Sequence, residues 1–219
     1  NDDAFIMKLD ANSGILDSVF GDGDGSDNDG IVQINATNSA SATGNDTLLS
    51  VVIDASDNIY AAGYTSGLMS GSSGGGYDGY VIKLNANSGV LDSVFGDGDG
   101  TNDDGIVQIN DTIAASTTGT DVLSTLTLYS SGNLYLGGQS YSDISGVNAG
   151  GYDSYVIKMN ANSGVFDSAF GDGDGSDDDG ILHLNDSNSS SASETDYITR
   201  ILFDGSGSLY FTGRSKSSL

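Results

Sequence analysis

The residues best suited to chemistry are acids crowded into a glycine-rich stretch, FGDGDGSDNDGIVQIN, which begins at Phe20. Its carboxylates are Asp22, Asp24, Asp27 and Asp29, with Asp17 as an upstream neighbour. Four carboxylates roughly 5 Å apart form six repelling pairs, each costing about 0.8 kcal/mol at the dielectric of water, or about 5 kcal/mol in all. The stretch is therefore expected either to stay extended and solvated or to hold a cation.

Oxygen ligands at alternate positions, separated by glycines that let the backbone curl, suit a hard cation such as Ca²⁺. The acidic stretch recurs at Phe95 and at Phe170, so the sequence predicts three such sites. The candidate metal ligands are Asp22, Asp24, Ser26, Asn28 and Asp29; Asp97, Asp99, Thr101, Asp103 and Asp104; and Asp172, Asp174, Ser176, Asp178 and Asp179.

These loops resemble the Asp-x-Asp-x-Asp-Gly calcium loops of EF-hands and of some propeller hairpins, but they depart from that pattern. The fifth position is Ser or Thr, and the sixth, normally Gly, is Asp27, Asn102 or Asp177. No Glu stands at the twelfth position, and no flanking helices are expected. The alternative interpretation is a solvated acidic loop that aids solubility.

The acidic stretch is one part of a longer internal repeat. Phe20, Phe95 and Phe170 are spaced by 75 residues, and 25 of 34 positions are identical between 77–110 and 152–185. A period held at this length is the signature of a repeat architecture. The predicted organisation is one continuous repeat domain made of repeat 1 (1–76), repeat 2 (77–151) and an incomplete repeat 3 (152–219).

The charge composition of the chain limits the kinds of molecule that it is expected to bind. The chain has 31 acidic residues against six Lys or Arg, a net charge of −25, and no Cys. Nucleic acids and anionic membrane surfaces need a basic face, so neither is an expected partner. The apolar runs are too short for membrane insertion. Without Cys there is neither a disulfide framework nor a thiolate metal site.

Apolar residues alternate with a period of two, which predicts β-strands. In YVIKLNANSGVLDSVFG, Tyr80 to Leu84 reads as a strand, Asn-Ala-Asn-Ser-Gly as a turn, and Val90 to Phe95 as the return strand. A second hairpin is predicted from Val51 to Tyr64, and a short fifth strand, GIVQIN, follows the acidic loop. No segment shows helical spacing. The predicted fold is all-β, a β-propeller-like array of three 75-residue, four-stranded antiparallel blades, with a stacked solenoid as the rival.

Two segments, DASDNIYAAGYTSG and GGGYDGYVIKLNANSG, resemble the bacterial SBBP-type β-propeller repeat. LDSVFGDGDG is similar to part of the related delta-60 repeat. The resemblance extends to all three copies and implies a secreted or surface protein of bacteria, often of no known activity. The acidic loop is not part of either repeat pattern.

The phase of the repeat predicts how the ends behave. The last copy has its first hairpin near the C-terminus, and its partner hairpin lies at the N-terminus. Three blades are fewer than the usual four to eight of a propeller. The ring is therefore expected to close, or to continue, through other chains or through sequence beyond this segment, with an arbitrary fragment boundary as the plain alternative.

Other candidate residues are given structural roles. Lys8, Lys83 and Lys158 share one phase and are each expected to reach an Asp of a neighbouring turn. His183 replaces a Gln of the other copies and is expected to be incidental. Four tyrosines, Tyr64, Tyr77, Tyr141 and Tyr152, are expected to pack within the array, with stacking on sugar rings as the alternative.

These observations predict a non-enzymatic structural or adhesive protein, extracellular or at the bacterial cell surface and stabilised by Ca²⁺. Its expected partners are copies of itself or neighbouring repeats of a larger chain. A glycan-binding propeller module is the second interpretation. An enzyme whose catalytic residues lie in other sequence is the third, because acids set among Gly and Ser lack the apolar pocket that raises a catalytic pKa.

Overall fold

A computed structural model gives the arrangement of most of the chain. It describes residues 2–21, 28–34, 44–70, 75–96, 104–109, 119–129, 132–141, 144, 150–171, 179–184 and 195–216. All of the regular secondary structure in these ranges is β-strand. The strands are β1 (Phe5–Met7), β2 (Ile31–Gln33), β3 (Asp46–Ile53), β4 (Asn58–Thr65), β5 (Asp78–Asn85), β6 (Ile106–Gln108), β7 (Asp121–Tyr129), β8 (Asn133–Ser140), β9 (Asp153–Asn160), β10 (Ile181–Leu184), β11 (Asp196–Phe203) and β12 (Leu209–Ser215).

The strands form four antiparallel sheets. Two are four-stranded meanders, which we call blade A (β3-β4-β5-β6) and blade B (β7-β8-β9-β10). The other two are two-stranded: β1-β2, the N-terminal half-blade, and β11-β12, the C-terminal half-blade. The predicted all-β, propeller-like architecture is confirmed.

Each blade straddles two repeats. Blade A takes β3 and β4 from repeat 1, and β5 and β6 from repeat 2. At the spacing of 75 residues, β11-β12 corresponds to the first half of a blade and β1-β2 to the second half. β11-β12 and β1-β2 are therefore the two complementary halves of the blade pattern, and they form separate sheets in this structure.

The predicted return strand from Val90 to Phe95 is wrong. Only an isolated bridge, Leu84 to Leu91, forms in this segment. Asp92 instead makes a turn, in which it accepts a hydrogen bond from the Phe95 amide. The fourth strand of blade A is β6, which pairs with β5 after the acidic loop. Phe95 is fully buried in the core that both blades share, so it serves packing rather than sheet pairing.

The second predicted hairpin, from Val51 to Tyr64, is confirmed as β3-β4, with a register shift between Leu48 and Ser50. Its turn is fastened by Asp54, whose carboxylate accepts hydrogen bonds from the amides of Ser56 (2.8 Å) and Asn58 (2.9 Å). Partial burial raises the pKa of Asp54, but these hydrogen bonds outweigh burial and lower the pKa below its usual value.

The core lies largely between successive sheets. β7 packs against β3 and β4, and β11 packs in the same way against β7 and β8. One cluster of buried side chains, including Ala62, Leu126 and Ile157, joins blades A and B. Successive sheets thus bury the faces that they turn toward one another, as repeat proteins do, whereas the outer faces of the terminal sheets remain exposed.

Candidate metal-binding loops

Each acidic loop is closed at its base by a backbone hydrogen bond. The Gly30 amide donates to the Phe20 carbonyl at 2.7 Å. The same bond joins Gly105 to Phe95 at 2.7 Å and Gly180 to Phe170 at 2.9 Å. The acidic segment thus begins and ends at one point, on the same side of every sheet in which it occurs.

The last acid of each loop starts the strand that follows. Asp29, Asp104 and Asp179 each accept a hydrogen bond through Oδ1 from the amide two residues later, at 2.8 to 2.9 Å. Asp104 also accepts one from the Ser70 hydroxyl at 2.7 Å. A carboxylate has about four acceptor sites, so a single bond of this kind leaves acceptor capacity on Asp29 and on Asp179.

Of the predicted metal ligands, Asn28, Asp29, Asp104 and Asp179 lie within the described residues. The others lie outside them: Asp22, Asp24, Ser26, Asp97, Asp99, Thr101, Asp103, Asp172, Asp174, Ser176 and Asp178. Within the described part of the chain, no three His, Cys, Asp or Glu side chains come close enough to hold a metal ion. The predicted sites therefore remain a prediction.

The three lysines reach acids of a neighbouring turn, as the sequence predicts. Lys8 lies 2.8 Å from Asp17, Lys83 lies 2.7 Å from Asp92, and Lys158 lies 2.6 Å from Asp167. Asp17, taken from the sequence as a neighbour of the acidic cluster, is therefore engaged by a lysine.

The ion pairs hold these carboxylates in the charged form. The hydrogen bond from Lys158, helped by the Ala169 amide, lowers the pKa of Asp167. Partial burial raises the pKa of Asp92, but the bond from Lys83 and that from the Val94 amide lower it overall. An ion pair between a lysine and an aspartate therefore stabilises the turn just before each acidic loop.

Replacing Lys83 by Met is expected to destabilise the chain by about 2 kcal/mol. This value lies between the effects of breaking buried and exposed ion pairs, because Lys83 is 5% exposed whereas its partner Asp92 is 26% exposed. The matched control is Lys8→Met, at the same phase of the repeat but 36% exposed, and it should cost less than about 1 kcal/mol. Urea unfolding measures both, and equal losses would contradict this interpretation.

The effect of Lys83→Met should depend on pH. Because the folded-state pKa of Asp92 is lowered, its contribution is present above the unfolded value near 3.9 and is lost as the pH falls through the folded value. The difference in unfolding free energy between wild type and variant should therefore shrink below about pH 4.

The bases of the first two loops also contact the next blade. The Gly21 amide donates to the Ser88 carbonyl at 3.1 Å, and the Gly96 amide donates to the Ser163 carbonyl at 3.1 Å. Ser88 and Ser163 belong to the Asn-Ser-Gly turns that follow β5 and β9. The start of each of these two loops is therefore held against a turn of the following blade.

The sequence did not reveal a second recurring polar set. Asp78 is buried and accepts a hydrogen bond from Gln108 at 2.8 Å, and Gln33 donates likewise to Asp3 at 2.7 Å. In blade B, His183 takes the place of the glutamine and lies 3.6 Å from Asp153. His183 is fully buried and faces this acid, so it takes the structural place of the glutamine. The shared phase of these residues was the available signal.

The candidate tyrosines contact one another. Tyr64 and Tyr77 pack edge to face with ring centroids 5.2 Å apart, and Tyr141 packs on Tyr152 at 5.3 Å. Tyr141 is 57% exposed. These contacts agree with a packing role for the four tyrosines. The ring of Tyr141 nevertheless remains partly exposed at the surface.

Together, the sheets and the closed acidic loops define a propeller-like all-β repeat protein. The chain matches no protein-family model, and no curated protein matches it. The likeness to the SBBP-type and delta-60 repeats rests on the motifs quoted above. Among the described residues, no helix has the length and apolar character needed to cross a membrane.

Proposed function

We propose that this chain is a non-enzymatic structural or adhesive repeat protein of the bacterial cell exterior, stabilised by Ca²⁺ in its acidic loops. The observation that carries the proposal is the closed base of each loop, with the Gly30 amide 2.7 Å from the Phe20 carbonyl. Because the two ends of the segment are held together, its carboxylates have less freedom to separate than in an open chain, and a bound cation offsets their repulsion.

The chemistry of the loops favours Ca²⁺ over other cations. Ca²⁺ takes six to eight oxygen ligands in flexible geometry, whereas Mg²⁺ requires a tighter octahedron. The chain has no Cys and one His, so soft and nitrogen-based ligand sets are scarce. Extracellular modules bind Ca²⁺ with dissociation constants of about 10⁻⁴ to 10⁻³ M, which suits loops this short.

A structural role is supported by where the chain places its recurring polar groups. The lysines pair with turn aspartates, Gln108 bonds to the buried Asp78, and Gln33 bonds to the exposed Asp3. Each recurring set thus fastens a turn or a sheet. The strong negative charge and the resemblance to secreted bacterial repeats support an extracellular location.

Calorimetric titration with Ca²⁺ tests the proposal. The wild-type chain is expected to bind three ions, one per acidic loop. Replacing Asp22 and Asp24 by Asn should remove one site and leave the loops at Asp97 and Asp172 intact. The control is Asp10→Asn, which removes one carboxylate outside the loops and should retain three ions. No heat of binding, or binding that survives substitution of all three loops, would contradict the proposal.

A glycan-binding role is the second candidate, and the exposed ring of Tyr141 is the observation that favours it. Aromatic rings at a surface can stack on sugars. A glycan array probed with wild type and with Tyr141→Ala separates the two roles, since sugar binding lost in the variant would favour the second candidate.

A further inference from the structure

We infer that two copies of this chain associate by completing one four-stranded blade, in which β12 of one copy pairs with β1 of the next. The shared sheet has the order β11-β12-β1-β2, two strands from each copy. The partner in the structural role proposed above would then be a second copy of the chain. The inference is based on the edges of the sheets and does not require Ca²⁺.

The first observation is a contrast in burial between equivalent strands. Tyr60 in β4 is fully buried, whereas Tyr210, its counterpart in β12, is 53% exposed. Tyr80 in β5 is fully buried, whereas Phe5, its counterpart in β1, is 59% exposed. In the described residues, β12 pairs only with β11, and β1 pairs only with β2. Each exposed edge has the sequence of a strand that is interior in blades A and B.

The completed blades dictate the register of the shared sheet. In blade A, Ala62 pairs with Val81, and in blade B, Gly137 pairs with Val156. Moving these pairs by the repeat length of 75 residues places Thr212 opposite Ile6 of the next copy. The same shift places Gly213 opposite Phe5 and Phe211 opposite Met7. A one-residue slip would reverse every side chain to the wrong face.

A cleft at the C-terminal half-blade fits the side chain that this register delivers. It is lined by residues that include Ser154, Ile198, Phe211 and Gly213. In blade B the corresponding space beside Gly138 is filled by Tyr155, whose ring lies 3.0 Å from where a Cβ on Gly138 would stand. The equivalent of Tyr155 is Phe5, so the ring of Phe5 from the next copy fills the cleft.

A second cleft lies at the other end of the chain, between β1 and β3. It is lined by Phe5, Ile6 and Met7 on one side and by Leu48 to Val51 on the other. Val51 is 57% exposed, whereas its counterparts Leu126 and Ile201 are each 4% exposed. Between blades A and B the equivalent space is filled, because β7 packs against β4 there. β12 of the partner copy therefore covers Val51.

Lys8, which follows β1, gains a matching contact. Lys83 lies 5.7 Å from the centre of the Tyr60 ring, and Lys158 lies 5.8 Å from that of Tyr135. Tyr210 is the equivalent tyrosine of the C-terminal half-blade, so Lys8 of the next copy is placed over it. The negative face of the aromatic ring attracts the ammonium group of the lysine.

A second copy is the proposed occupant because its β1 carries the residues that this register requires; a wild-type chain that stays monomeric would instead favour a further repeat of a longer chain. Such a head-to-tail contact produces a closed ring or an open filament. Each chain carries a net charge of −25, so association should need salt, and at about 0.15 M the screening length is about 8 Å.

Sedimentation velocity of the purified chain at 0.15 to 0.5 M NaCl tests the interface. Wild type should form dimers or larger species as concentration rises, whereas Phe5→Asp should remain monomeric. The control is Val94→Asp, in completed blade A, since Val94 is 63% exposed and the variant should assemble like wild type. Phe211→Asp, on the opposite edge, repeats the test should Phe5→Asp fail to fold by circular dichroism. A wild-type chain that stays monomeric, or two edge variants that assemble normally, would overturn the inference.

Cross-linking tests the register. A chain with Thr212→Cys is mixed with a chain carrying Ile6→Cys under oxidising conditions, and disulfide-linked dimers are expected. Phe211→Cys with Ile6→Cys is the matched control, offset by one residue, and should form fewer. Equal yields, or assembly without any cross-link between 212 and 6, would overturn the register. Both experiments are run with Ca²⁺ and with chelator, so that loss of assembly and loss of calcium binding are scored separately.

Discussion

Removing Ca²⁺ is expected to lower the melting temperature of the chain by roughly 20 °C. Binding to the folded state alone contributes about 2.7 kcal/mol per site at a hundredfold excess over Kd, so three loops contribute about 8 kcal/mol. For a chain of this size, 1 kcal/mol corresponds to about 2 to 4 °C. Thermal unfolding followed by circular dichroism, with Ca²⁺ and then with excess chelator, measures the shift.

The physical reason is the return of repulsion among carboxylates held in closed loops. Added Na⁺ should restore stability only in part, by screening, and Mg²⁺ should be a poor substitute because of its tighter geometry. The variant with Asp22 and Asp24 replaced by Asn should lose about a third of the shift. A melting curve indifferent to chelator would mean that the acids form only a solvated surface.

Replacing Gly164 by Ala is expected to cost about 2 to 4 kcal/mol of unfolding free energy. Gly164 adopts a φ of +79°, and an added Cβ would stand 2.7 Å from Val107 and 3.3 Å from Phe95. The positive φ costs about 1 kcal/mol, and overfilling a packed site adds about 1 to 3 kcal/mol. Gly164 lies where the turn of blade B meets the core around Phe95, so the variant also loosens the base of the second acidic loop.

The repeat supplies the control for this prediction. Gly14 occupies the same turn position with a φ of +71°, but an added Cβ there meets nothing within 4 Å. Gly14→Ala should therefore cost only the backbone contribution of about 1 kcal/mol. Equilibrium unfolding in urea compares the two variants at one pH and one Ca²⁺ concentration. Losses of equal size would show that the contact between blades contributes nothing.

Local features of the fold could be predicted because each depends on the order of a few neighbouring residues. The hairpin of β3 and β4 follows from alternating apolar residues around Asp54, whose side chain fastens the turn. The pairing of Lys83 with Asp92 follows from two charges that recur at a fixed spacing. Because the sequence repeats, the same turn and the same ion pair recur in successive blades.

Non-local features could not be predicted from the same patterns. Val90 to Phe95 has strand-like alternation, yet Asp92 makes a turn and Phe95 enters the core between blades. The true partner of β5 is β6, which follows only after the acidic loop. The pairing of Gln108 with Asp78 spans 30 residues, and in the sequence only the repeat phase that these two positions share links them.

The same limit applies to the candidate sites. Sequence composition identifies the crowding of acids from Asp22 to Asp29, because charge density is a local property. That Gly30 bonds to Phe20, and so closes the loop, depends on how β2 returns beside β1. The closed base limits how far the two ends of the acidic segment can separate, which no local property of the sequence reveals.

Amide hydrogen exchange at the terminal strands measures whether the two half-blades are parts of one blade. We expect the amides of Tyr210 to Gly213 that β11 leaves exposed to gain protection as concentration rises, approaching that of Tyr60 to Gly63 in blade A. Protection at Phe5 to Met7 should rise in parallel. Unchanged exchange at both edges, while the chain assembles, would contradict a shared blade.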